Sequence, residues 1–321
     1  MPTNRDTELK RILVSGASGL LGLNFCNIFY KKFSVYGLVN RTRLDHLPFH
    51  VVQTDLLRAD LNDLLDEVRP DVVLHCAALA NIDQCEKDPE TAEKINAEIP
   101  GKFAAAAGKR GIRFIHISTD AVFDGEERKT GGYREDDETN PISRYAATKL
   151  AGERNVLSAN PEALVARVNF YGWSTSGRRS LVEFFYNNLR AGNPVNGFND
   201  VFFSTLYVRE LADILCEMIG LDAKGIYHVF SSDFRSKYDF GRSIAEKFGF
   251  DPDLVRPISW KDGGLTAKRS PNLIMNTDKL RSLLGHDLPT QEMCLERFYQ
   301  DTSEGLRERI QGFVDAEKSE G

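Results

Sequence analysis

The chain has 321 residues, 41% of them hydrophobic and 27% charged, proportions that fit a folded protein of about two domains and exclude a disordered or fibrous one. Its 41 basic and 47 acidic side chains leave a net charge of −6, which excludes the broad basic footprint of a nucleic-acid binder. No apolar run reaches the roughly 18 residues that a membrane span needs, and the polar first ten residues carry no apolar signal core, so no membrane partner is expected.

In chain order, residues 11–15 predict a first strand of aliphatic residues, followed at once by Gly16-Ala-Ser-Gly19-Leu-Leu-Gly22. Further strands are expected at 35–39, 51–52, 72–75, 114–118, 164–168 and 226–230. Their near-continuous apolar character indicates a sheet covered on both faces. Between them, residues 91–109 repeat Ile95, Ile99, Phe103 and Ala106-Ala107 at helical spacing. Such alternation predicts an α/β protein, a Rossmann-type doubly wound parallel sheet with a smaller C-terminal α/β substrate lobe. The expected division is 1–172 and 203–232 for the dinucleotide-binding domain, and 173–202 and 233–321 for the lobe. Polar or glycine-containing stretches at 174–179, 193–200 and 261–272 read as loops, and 181–189 and 240–248 as amphipathic helices.

Five scattered cysteines without a C-x-x-C pair suit a reducing, cytoplasmic setting, where thiols act as small hydrophobes. The six histidines form no ligand set, so no protein-borne metal is expected. His75 and His116 lie inside apolar runs and read as packed strand residues with one hydrogen-bonded ring nitrogen.

A glycine turn between strand and helix lets the backbone approach a pyrophosphate, while the helix N-terminus offers unpaired N–H groups to it. Gly16, Ser18, Gly19, Leu20, Leu21 and Gly22 are therefore candidate cofactor-binding residues. After the second strand, no acidic residue stands at Val39 or Asn40 to hold a ribose 2′-hydroxyl, whereas Arg41 and Arg43 are placed to accept a 2′-phosphate. This favours NADPH, with NADH as the alternative. Asp55 and Leu56 are placed to contact the adenine, and Cys76, Ala77 and Ala78 end the fourth strand with small residues that let a cofactor lie on the backbone. Tyr145 and Lys149, four residues apart, share one helix face after the helix-start signal at Pro141. A lysine cation beside the phenol is expected to lower its pKa from about 10 and make it a usable proton donor. Thr119, within Ser118-Thr119-Asp120 at the end of the fifth strand, could hydrogen-bond a substrate carbonyl.

Four segments carry a family resemblance: the glycine loop, Cys76-Ala-Ala78, Ser118-Thr-Asp-Ala-Val-Phe-Asp-Gly125 and Tyr145-Ala-Ala-Thr-Lys149. Through them residues 10–300 resemble an extended short-chain dehydrogenase/reductase of the dTDP-4-dehydrorhamnose reductase-like branch. Weaker matches are Asn96, a structural or relay residue in that family, and Arg167-Val-Asn-Phe-Tyr-Gly172. The resemblance implies a catalytic set of Thr119, Tyr145 and Lys149, with hydride passing from NADPH to the ketone carbon of a nucleotide-linked 4-keto-6-deoxy sugar. It also implies substrate contacts at Asp120, Ala121, Val122, Phe123 and Asn169, and a homodimer. Arg178, Arg179, Lys268 and Arg269 are candidates to pair with the substrate diphosphate. Departures concern the substrate: Ala121 stands where the branch carries tyrosine, and Asn199-Asp-Val-Phe-Phe-Ser-Thr-Leu206 lacks the branch's glycine and proline. The alternatives are a nucleotide-sugar epimerase and a non-catalytic NADP-binding regulatory subunit of the same fold, as in the β subunit of methionine adenosyltransferase. A dehydratase is disfavoured because Ala121, not an acid, follows Asp120.

Overall fold

The computed structural model describes residues 9–126, 131–263 and 270–314. Six strands, β1 (Arg11–Ser15), β2 (Ser34–Val39), β3 (His50–Gln53), β4 (Val72–His75), β5 (Arg113–Thr119) and β6 (Leu164–Val168), join Gly225–Val229 in one seven-stranded sheet. The spatial order is Gly225–Val229, β6, β5, β4, β1, β2, β3, and every pairing is parallel. Chain order reverses between β1 and β4, so a crevice opens at the C-terminal ends of those two strands, where open α/β sheets bind ligands.

The continuous apolar runs follow from burial on both faces. Ile12 and Val14 pack with Leu23, Phe25, Leu211 and Leu215 of the helices Leu20–Phe29 and Val208–Gly220. The intervening Leu13 points the other way, against Leu65, Phe103 and Phe114, under the helices Leu61–Val68 and Ile99–Gly108. All five cysteines are free, and all but the half-buried Cys76 are buried.

Two stretches differ from expectation. Residues 91–109 are not one regular helix: Pro89–Glu93 and Ile99–Gly108 are α-helical, and Lys94–Glu98 between them is a π-turn. Pro100 has no N–H to return to Asn96, and the wider register absorbs the missing bond. Residues 193–200 are not all loop. Val195–Phe198 forms a strand paired in parallel with Val255–Ile258, because Val195 is buried and Gly197 lets the Tyr238 backbone approach. A small three-stranded sheet, Arg235–Ser236, Phe202–Phe203 and Asn272–Leu273, lies nearby. The helices Leu181–Arg190, Lys237–Phe248 and Gln291–Ser303 surround an aromatic core in which Phe298 meets Tyr171, Trp173 and Tyr207 edge-on or tilted, and Tyr171 stacks on Tyr207 and meets Phe240 edge-on. Among the described residues no helix is long and apolar enough to cross a membrane.

Candidate active site

The crevice at the switch point is a cleft of about 250 Å³. Its floor is main chain. Gly16 has φ +69°, and a Cβ there would stand 2.8 Å from Ala77 N, so only glycine allows the β1 and β4 ends to meet so closely. A Cβ on Gly22 would collide with Gly16 O. Gly19 caps the helix Leu20–Phe29 with no side-chain hydrogen bond, which leaves first-turn N–H groups to a ligand's phosphates. Leu21 and Gly22 are buried, so in that turn the backbone rather than the side chain serves the cleft.

Nine of the expected cofactor residues line this cleft: Gly16, Ser18, Gly19, Asn40, Asp55, Leu56, Cys76, Ala77 and Ala78. A glycine cradle, a helix N-terminus and a small-residue wall together fit a dinucleotide. Arg41 and Arg43 do not line it; both are exposed beyond Asn40, where the chain turns outward and Gln53 Nε2 donates to Asn40 O at 3.1 Å. Among the described arginines the one that lines the cleft is instead Arg179, itself exposed and expected at a substrate diphosphate. Its loop is fixed from below. The fully buried Glu183 carboxylate accepts from Ser174 N, Arg179 N and Ser180 N at 2.6, 2.8 and 3.0 Å, and from Ser174 Oγ. Arg178, its neighbour, is exposed, while Lys268 and Arg269 lie outside the described residues.

Beside this cleft stands the Thr/Tyr/Lys set. Thr119 is the last residue of β5, and Tyr145 and Lys149 come from the helix Arg144–Ala159, which starts just after Pro141 and is capped by Ser143, whose hydroxyl accepts from Ala146 N at 3.2 Å. The Thr119 hydroxyl donates to Asp120 Oδ1 at 3.0 Å and accepts from Ala121 N. Burial pushes the Tyr145 phenol up to about 12, opposed by the Thr119 hydroxyl that faces it. That is opposite to the lowering expected from Lys149. The lysine is turned to β5: Nζ donates to Ile117 O at 2.6 Å, and burial lowers its pKa to about 8. Tyr145 is therefore protonated at neutral pH, as an ordinary phenol is, and its burial makes that proton harder to give up.

Asp120 is buried, accepts from Asn169 Nδ2 at 2.8 Å, and is pushed up to about 6 by desolvation. Ala121 is half-buried beside it. The side chains of Val122 and Phe123, expected to touch substrate, are fully buried with Tyr133, Leu150 and Phe230. The 3-10 turn Asp120–Val122 directs them inward, and Phe123 stacks on Tyr133 with ring centroids 4.4 Å apart. Asn96 is structural here, tied to Leu79 N, Leu79 O and Thr148 Oγ1.

One group of residues escaped the sequence reading. Glu153, one turn beyond Lys149, pairs with Arg167 of β6 at 2.8 Å, with both side chains only 2% exposed, and accepts from the Ser118 hydroxyl. Arg167 also reaches His228 Nε2 and Glu135 O. The four-residue step from Lys149 to Glu153 was a signal for the shared face, but its partner on a distant strand was not readable from spacing.

Fold and site together define an extended short-chain dehydrogenase/reductase, an NAD(P)-dependent oxidoreductase whose Tyr-x-x-x-Lys helix borders the dinucleotide cleft. The chain belongs to the family described as "RmlD substrate binding domain", whose model matches residues 10–304. It is 34% identical over 299 residues to the probable low-salt glycan biosynthesis reductase Agl14 of Haloferax volcanii, covering 90% of this chain and 98% of that one. It is 30% identical over 286 residues to methionine adenosyltransferase 2 subunit beta of Bos taurus, covering 85% and 82%. Among solved structures, dTDP-4-dehydrorhamnose reductase from Bacillus anthracis in complex with NADP superposes with a TM-score of 0.81 at 27% identity, over 91% of this chain and 99% of that one.

Proposed function

We propose that this protein is an NADPH-dependent reductase of a nucleotide-activated 4-keto-6-deoxy sugar. The observation that carries the reading is the Tyr145 phenol facing Thr119, with Lys149 one turn further along the same helix, next to a glycine-floored cleft whose lining residue Cys76 interacts electrostatically with Lys149. When bound there, the reduced nicotinamide supplies a hydride to the ketone carbon. The carbon–oxygen π pair moves onto oxygen, and the Tyr145 phenol delivers its proton to that oxygen. Thr119 orients the carbonyl by turning its hydroxyl from Asp120 Oδ1 to the ketone oxygen. Lys149 holds the nicotinamide ribose and, as a cation, stabilises the phenolate left after proton transfer. NADPH rather than NADH is supported by the absence of an acidic residue at Asn40 and by the Arg179 guanidinium in the cleft. The nucleotide and sugar occupy the lobe of residues 173–202 and 233–321.

The test is incubation with NADPH and a panel of dTDP-, GDP-, CDP- and UDP-linked 4-keto-6-deoxy sugars, following cofactor absorbance. Oxidation with one nucleotide series is the expected result; bound but unconsumed NADPH across the whole panel overturns it. The similarity to an adenosyltransferase subunit favours a second reading, a cofactor-binding regulatory subunit. Stable co-purification of a second protein together with an unreactive panel selects that one.

A further inference from the structure

Lys149 is 2% exposed and sealed against β5. Besides the Ile117 carbonyl, its Nζ meets one imidazole, His116 Nε2 at 3.3 Å. With Lys149 as an ammonium, which has only donors, Nε2 is the bare nitrogen and the ring is the neutral Nδ1–H tautomer, whose buried Nδ1 has no hydrogen-bond partner among the described residues. The setting enforces neutrality: His116 is fully buried, and both burial and the neighbouring lysine hold its pKa well below the ordinary value. His75 of β4 packs nearly parallel at 5.6 Å between ring centroids, equally neutral at a pKa of about 3, with its own Nδ1 engaged by Ser15 Oγ at 2.8 Å. The other groups that face Lys149 are Cys76, whose thiol is held protonated by burial, and Glu153, whose carboxylate is engaged by Arg167 and Ser118.

We infer that His116 is a positioning residue for Lys149: its Nε2 lone pair and the Ile117 carbonyl form a fixed two-point cradle that aims the ammonium and keeps it charged. The inference rests on the proposed role of Lys149 in the reductase site. The cradle supplies what a buried cation otherwise lacks. Burial alone drives a lysine toward the neutral amine, which could neither grip a ribose nor stabilise a phenolate.

The test reads Lys149 directly. In the full chain carrying lysine labelled with 13C at Cε, with the Lys149 signal assigned through Lys149→Arg, the pH titration is compared among wild type, His116→Phe and His116→Gln. Loss of a hydrogen bond to a charged group should lower the Lys149 titration in His116→Phe by about one pH unit. His116→Gln restores an acceptor and returns it toward wild type, and the alkaline limb of kcat/KM moves in parallel. An unchanged Lys149 titration in folded, NADPH-binding His116→Phe overturns the inference, as does failure of the glutamine to restore it. If the phenylalanine variant does not fold, 15N shifts of the wild-type ring decide: a bare Nε2 supports the cradle, and a protonated Nε2 overturns it. A protein that reduces no sugar but shows the Lys149 shift refutes the proposed reductase function and leaves the cradle standing.

Discussion

Asp120 shows how one buried side chain connects stability with the site. Its folded pKa of about 6 lies above the ordinary 3.8, mainly because burial disfavours the carboxylate. The folded state therefore binds a proton more tightly than the unfolded one, and the stability so gained is lost as pH rises from about 4 through 6. Asp120→Asn removes that penalty. Relative to wild type, its Tm should be more favourable at pH 8 than at pH 4.5, by an amount on the order of 5 °C; a Tm difference that is flat with pH contradicts the assignment. Arg179 makes a second residue-scale claim. If its guanidinium meets the cofactor phosphates, Arg179→Ala weakens NADPH binding about tenfold in a fluorescence titration, whereas Arg41→Ala and Arg43→Ala change it little. The reverse ranking restores the arginines read from the sequence. Those two were chosen because they follow β2 in the chain. Arg179 comes from a loop 139 positions after Asn40, placed by the Glu183 anchor, and local spacing does not encode such a meeting.

At the scale of elements, legibility followed the physics of burial. Strands buried on both faces announce themselves as apolar runs, and all seven strands of the main sheet, including the largely exposed edge strand β3, were expected within a residue or two of where they lie. The glycine turn was equally legible, since a strand leading straight into Gly16, Gly19 and Gly22 has few other uses. What escaped were departures from regularity: the π-turn Lys94–Glu98, set by the missing N–H of Pro100, and the short strand Val195–Phe198, whose glycine reads as a loop signal until Tyr238 packs on it. The burial of Val122 and Phe123 was not legible for a similar reason, because a motif gives the order of its residues and not the direction in which a 3-10 turn sends them. The turn itself is testable. In Gly22→Ala the added methyl meets Gly16 O, so the helix must move off the sheet. A destabilisation of roughly 1–3 kcal/mol is expected, seen as a lower Tm, together with loss of the thermal protection that NADPH gives wild type. A variant with unaltered Tm and full protection contradicts the proposed packing.

Across the whole molecule, two kinds of contact hold the elements together. One is the aromatic core around Phe298, which is apolar and broad. The other is the Glu153–Arg167 pair, which ties β5, β6 and the Tyr145 helix together through Ser118 and extends to His228 on the outermost strand. Breaking such a buried pair strands a charge, whereas an exposed pair such as Lys94–Glu90 contributes little. The pair therefore fixes the Tyr145 helix against β5 and β6. The net charge of −6 says nothing about a small phosphorylated ligand, for which Arg179 beside the glycine cradle is the candidate cation, with Asp55 lining the same cleft. The central claim is that a protonated phenol beside this cleft gives its proton to a ketone oxygen. Its most direct test is turnover of the reactive nucleotide sugar by Tyr145→Phe with NADPH binding measured in parallel. The account predicts a kcat about 10²–10⁴-fold lower with NADPH affinity unchanged; turnover near the wild-type rate contradicts it.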